Sequence, residues 1–125
     1  MKAITLHADD MILGPFQDEF GHIGNSKEIQ IDDKLYTVDF PNFHSWLKQT
    51  RKYSPYSNPK GFTTDGLEEW INQGYNYAIM LRRLLPSHID VYYGFWKDFG
   101  DGIWWFCKTC IPLTVTEYYR NATQL

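Results

Sequence analysis

One stretch constrains this fold more than any other: TTDGLEEWINQGYNYAIMLRRLLP, residues 63–86. Leu67, Trp70, Ile71, Gly74, Ala78, Leu81 and Leu85 recur at spacings of three and four. That period is an apolar stripe along one side of an α-helix. Thr64 or Asp65 is placed to cap it, and Glu68 and Glu69 suit its positive end. Arg82 and Arg83 suit the other end, and Pro86 stops it. Gly74 lies inside the stripe, where glycine costs about 1 kcal/mol against alanine. Its use there must be the close approach of a strand or a second helix.

A helix with one apolar stripe needs a surface to cover, and the flanking sequence supplies strands. HIDVYYGFW (88–96) and GIWWFCKTC (102–110) are aromatic and β-branched, joined by a Gly- and Asp-rich turn. Residues 3–7 alternate weakly and read as a short strand. Residues 11–26 are punctuated by Gly14-Pro15, Gly21 and Gly24-Asn25 and read as a loop. KEIQIDDKLYTVDF (27–40) is a hairpin pattern, with Asp32-Asp33 as the turn and Pro41 closing the second strand. The period changes again after Asn42, a candidate N-cap: Phe43, Trp46, Leu47 and Tyr53 fall on one helical face. SPYSNPKGFTT is an irregular connection, and the chain beyond Pro112 fits a strand or a short helix. The expected class is α+β, an antiparallel sheet of about four to five strands with two main helices packed on it. At 125 residues the chain is expected to be a single domain, 1–125, able to fold without a disulfide or metal staple.

Composition narrows the function classes. No apolar run approaches 18 residues, and Asp9 and Asp10 interrupt any secretory core, so a cytoplasmic protein with reduced thiols is expected. Aromatic residues make up 18% of the chain; some must lie on the surface, where exposed aromatics are enriched at partner contacts, or else a small α+β core simply uses large side chains. Charge is unevenly spread: residues 1–45 hold three lysines against eight carboxylates, while the rest is nearly balanced. Such a segment repels nucleic acid and attracts a basic partner, or serves as a solvated face. Scattered Lys and Arg without an aromatic-plus-basic motif argue further against nucleic-acid binding.

The motif that most suggests chemistry is Cys107-x-x-Cys110 within IWWFCKTCIPL. A redox motif of this spacing sits at a helix N-terminus, but Ile111-Pro112 opens no useful helix here. On a strand, Trp105 and Cys107 share one face and Trp104, Phe106 and Lys108 the other, so the two thiols point apart. A zinc site needs at least three ligands, and His7, His22, His44 and His88 show no paired spacing. Adjacent acids on a strand also diverge, no calcium loop is present, and no nucleophile motif occurs. No catalytic residue, metal ligand or cofactor site is assigned, and the chain reads as a non-enzyme.

What remains is docking. GLEEWINQGYNYAIMLRRLLPSHIDVYYGFWKDFGDGIWWF, a helix ending at Leu-Pro and feeding an aromatic hairpin, resembles the small immunity proteins of bacterial contact-dependent growth inhibition systems. The resemblance spans residues 64–106 in pattern and carries over no functional residue. It implies a tight one-to-one complex with a cognate toxin, often a basic nuclease, whose active site is covered. The partner surface expected from charge is Asp9, Asp10, Asp18, Glu19, Asp32 and Asp33, with Asp98, Phe99 and Asp101 at the second hairpin tip. Two other readings stay open: a pocket for a small molecule or carbohydrate lined by Tyr92, Trp104 and Trp105, and a zinc or redox role for the cysteines. An exposed sheet edge would also support a homodimer.

Overall fold

The computed structural model describes residues 3–7, 14–53, 65–98, 103–112 and 116–120, without the side chains of 51, 98 and 116–120. In chain order the elements are β1 (Ala3–His7), β2 (Phe16–Asp18), β3 (Gly21–His22), β4 (Glu28–Ile31) and β5 (Lys34–Thr37). Then come α1 (Phe43–Lys48) with a 3₁₀ turn (Gln49–Tyr53), α2 (Leu67–Leu84), β6 (Asp90–Asp98), β7 (Trp104–Ile111) and β8 (Thr116–Arg120). The class is α+β. Six strands form one sheet in the order β3-β2-β1-β6-β7-β8, and β4-β5 form a second. Among the described residues, no helix is long and apolar enough to cross a membrane.

The sheet departs from the expected antiparallel one. β1 and β6 run parallel, from Ala3 opposite Asp90 to His7 opposite Gly94. A parallel pair needs a long crossover, and everything from β2 to α2 lies between these two strands. The remaining pairings in the large sheet are antiparallel. Three strands beyond the five that the patterns mark come from places where no period is visible. Residues 11–26, read as loop, contain the β2-β3 hairpin, whose strands of three and two residues are too short to alternate. The segment after Pro112 becomes β8. The 27–40 hairpin forms as expected and buries Ile29 and Ile31, with Asp32 in the left-handed region (φ 54°). Primed hairpin turns need that positive φ at their first central residue.

The α2 stripe is buried as the spacing predicts, with one addition, Tyr77, whose hydroxyl donates to Pro41 O at 2.6 Å. The caps differ from expectation. Gly66 (φ 84°) is the N-cap of α2, while the Asp65 carbonyl accepts from the Tyr53 hydroxyl at 3.3 Å. Asn42 does cap α1, but from the left-handed region and without a side-chain hydrogen bond. At the far end, Arg82 turns its guanidinium back onto the carbonyls of Leu85, Pro86 and Ile89. It thereby satisfies groups that a helix C-terminus and its exit would leave open.

Two contacts lock the layers. Trp46 of α1 stacks on Trp70 of α2 at 4.7 Å between ring centroids, 15° from parallel. Each indole N–H donates to the other residue's carbonyl, Trp46 Nε1 to Trp70 O at 2.8 Å and Trp70 Nε1 to Trp46 O at 3.0 Å. One turn along, Gly74 provides the notch that its position in the stripe implied. A Cβ there would lie 2.0 Å from Tyr93 Oη and 2.7 Å from the Trp46 ring. Through that notch Tyr93 of β6 reaches α2 and donates to Ile71 O at 2.9 Å.

Gly74→Ala should therefore destabilise the fold by about 1–3 kcal/mol in urea unfolding, through overpacking and despite alanine's better helix propensity. Combining it with Tyr93→Phe should cost less than the sum of the single changes, since the nearest clashing atom is gone while the rings of Tyr93 and Trp46 still crowd the methyl; strict additivity would rule out the hydroxyl's share in the notch. Trp70→Phe removes the indole N–H from the Trp46 carbonyl, which keeps only the Gln49 backbone N–H, so a loss of about 1 kcal/mol is expected for that bond from the same measurement.

Candidate functional site

Register sorts the sheet's side chains onto two faces. Tyr93 pairs with Thr109 and Phe95 with Cys107, and this face meets α2, with the Tyr75 hydroxyl 3.3 Å from Thr109 Oγ1. Trp96 pairs with Phe106 and Gly94 with Lys108 on the opposite face. Cys107 is buried and Cys110 half-buried, both as free thiols, and alternation puts them on opposite faces as the spacing predicts. Burial pushes the Cys107 thiol up to about 12, outweighing the opposing pull of Lys97. A thiol held protonated is a poor nucleophile and a poor metal ligand. Among the described residues, no three His, Cys, Asp or Glu side chains gather in a group that could hold a metal ion.

The same register corrects the aromatic pocket. Trp104 and Trp105 are neighbours on one strand and point to opposite faces. Tyr92 pairs with Cys110, six residues along β7 from Trp104, a separation of about 20 Å at strand rise. Trp104 is fully buried besides. These three rings cannot line one cavity. The described clefts lie elsewhere: one of about 490 Å³ opens between Ser26–Glu28, Thr37–Phe40 and the start of α1. Another of about 360 Å³ lies over the edges of Trp46 and Trp70.

Of the expected acidic surface, Asp18 and Glu19 form one turn, between β2 and β3, and the structure gives them a neighbour that the charge pattern missed. Phe20 is 91% exposed at the tip of that turn. Asp18 Oδ1 accepts from the Phe20 backbone N–H at 2.7 Å, and Glu19 Oε1 accepts from Ala3 N–H at 2.6 Å. The carboxylates thus fix the turn while the ring stands in solvent. An aromatic between Asp-Glu and Gly was the available signal, but exposure is a property of the fold. Asp32 and Asp33 sit on a different hairpin in the other sheet, followed by Leu35, which is 54% exposed. Asp9, Asp10, Phe99, Asp101 and the Asp98 side chain lie outside the described residues.

Sequence reading weighed His7 only as a zinc ligand and did not foresee its burial. It is buried on the face away from α2, edge-to-face with Phe106 at 4.9 Å, and its Nδ1 lies 3.2 Å from Gln17 Nε2. That amide can only donate, so this ring nitrogen is the acceptor. Burial, helped by His22, lowers its pKa from 6.5 to about 4. Compared with known families, with curated proteins and with solved structures, the chain finds no significant match.

The His7 shift sets a pH dependence. The unfolded chain takes up a proton near pH 6.5 and the folded one only near pH 4. Stability is therefore complete above about 6.5 and falls as pH drops through that window, by on the order of 3 kcal/mol in total. Urea midpoints measured from pH 7 to pH 4 should show this loss, and His7→Gln should flatten the slope. An unchanged slope in that variant would place the titration elsewhere.

Proposed function

We propose that this chain is a non-enzymatic binding protein that neutralises a cognate bacterial toxin by covering its active site, and that the partner is a basic toxin domain such as a nuclease. The observation that carries the proposal is Phe20, a full aromatic ring in solvent, directly after two carboxylates in a hydrogen-bonded turn. An exposed aromatic on a fixed turn supplies anchor area at small ordering cost, and such rings dominate the energy of many interfaces. Carboxylates beside it raise the encounter rate with a positive surface.

The decisive experiment tests the product of any large reading frame found adjacent to the gene for this chain, with binding followed by surface plasmon resonance. Phe20→Ala should raise the dissociation rate by about tenfold or more, in line with loss of an aromatic anchor. Asp18→Asn with Glu19→Gln should instead lower the association rate at low salt, with the difference closing as ionic strength rises. Unchanged kinetics in both variants would remove this turn from the interface, and absence of any complex would remove the proposal.

A further inference from the structure

The β4-β5 sheet has an edge whose hydrogen-bonding groups can be assigned one by one. The Val38 N–H donates to Lys27 O at 2.7 Å, which makes Lys27 and Val38 a hydrogen-bonded pair. Stepping by two, Ile29 bonds with Tyr36 and Ile31 with Lys34. The backbone N–H and C=O groups of Leu35 and Thr37 therefore point away from β4. Among the described residues no strand lies on that side. Both side chains are exposed, and Leu35 is one of three large apolar residues so exposed among those described. A two-stranded sheet is marginal by itself, and a bare edge is a template for another strand.

We infer that this edge pairs with a second copy of the chain, β5 against β5 about a two-fold axis through Leu35, giving a four-stranded sheet β4-β5-β5-β4. The choice of occupant follows from self-complementarity. Centred on Leu35, the antiparallel register sets Leu35 against Leu35 of the partner subunit, so each exposed apolar side chain covers the other. Lys34, whose ammonium already lies 5.0 Å from its own Tyr36 ring, falls opposite Tyr36 of the partner subunit. Asp33 falls opposite Thr37 of the partner subunit, whose hydroxyl can donate to it. Moving the axis to Tyr36 would set Asp33 against Asp39 of the partner subunit, and like charges directly opposite are destabilising. An axis at Thr37 would set Leu35 against that same carboxylate. Only the Leu35 register joins apolar to apolar and cation to ring. The strand is four residues long, so the dimer is a weak one, with a dissociation constant of about 10 µM to 1 mM.

This dimer uses a different surface from the Phe20 turn and does not depend on the toxin-binding proposal. Sedimentation equilibrium of the purified chain up to about 1 mM should show a reversible monomer–dimer equilibrium in that range. Thr37→Pro removes an outward donor without touching the β4-β5 bonds, and should abolish the dimer with an unchanged circular dichroism spectrum. In a Cys110→Ser background, Leu35→Cys should form an intermolecular disulfide under mild oxidation, since directly opposed Cα atoms in a bonded pair lie about 5.5 Å apart. Ile79→Cys, exposed on α2, is the control and should link far more slowly. The inference is overturned by a monomer at every concentration, by a dimer that survives Thr37→Pro, or by Leu35→Cys linking no faster than the control. Linking that appears only when a foreign strand-forming protein is added would likewise assign the edge to that protein.

Discussion

The rest of this structure depends on two indoles that each donate to the other's main chain. The Trp46–Trp70 pair joins α1 to α2, and the Gly74 notch one turn further joins α2 to β6. Helix, helix and sheet thus meet along Trp70, Ile71 and Gly74, a single turn of α2. The consequence reaches the sheet's topology. The chain leaves β1, runs through both helices and returns beside β1 as β6, so the parallel pairing holds only where α2 is seated. A packed core is intolerant of a single added methyl at such a point.

How legible was this in the sequence? The α2 stripe was, because eighteen residues give a 3.6 period enough turns to declare itself. Gly74 was legible for a related reason: a glycine inside a stripe is costly unless something presses against it. Tyr77 was not, since its place in the core depends on a carbonyl 36 residues away, at Pro41. The Gly66 cap was hidden behind two better-looking capping residues. The parallel β1–β6 pair was invisible because alternation reports which face of a strand is buried and says nothing about its neighbour or their direction. Of the candidate surface, the carboxylates of Asp18 and Glu19 were readable as charge. Phe20 was not, because most phenylalanines are buried and only the short β2-β3 hairpin carries this one outward.

Two groups with intrinsic reactivity, Cys107 and His7, are buried where packing holds them in their neutral forms. Cys107 packs on the α2 face with its proton held firmly, and His7 is kept neutral beneath Phe106. Both shifts have burial as their leading cause, so they record packing more than they record a catalytic setting. Perturbed titration marks a functional site when a specific charge partner in a cleft produces it, and neither residue meets that description. Their influence falls on stability and its pH dependence.

The surface shows the reverse arrangement. Asp18 and Glu19 each spend one oxygen on a backbone N–H, which fixes the turn that presents Phe20. An ionised carboxylate has about four acceptor positions, so Asp18 keeps capacity for a guanidinium or ammonium arriving from outside. In the proposed complex, steering and anchoring would come from three consecutive residues, with the turn already hydrogen-bonded in the free protein. A partner that meets this turn need not organise it, and the binding energy of the ring goes into holding the complex. Reversing the order of construction, with carboxylates free and the aromatic buried, would leave the same net charge on the chain and no anchor. In the proposed reading, the position of one ring is what separates a docking surface from a merely soluble acidic face.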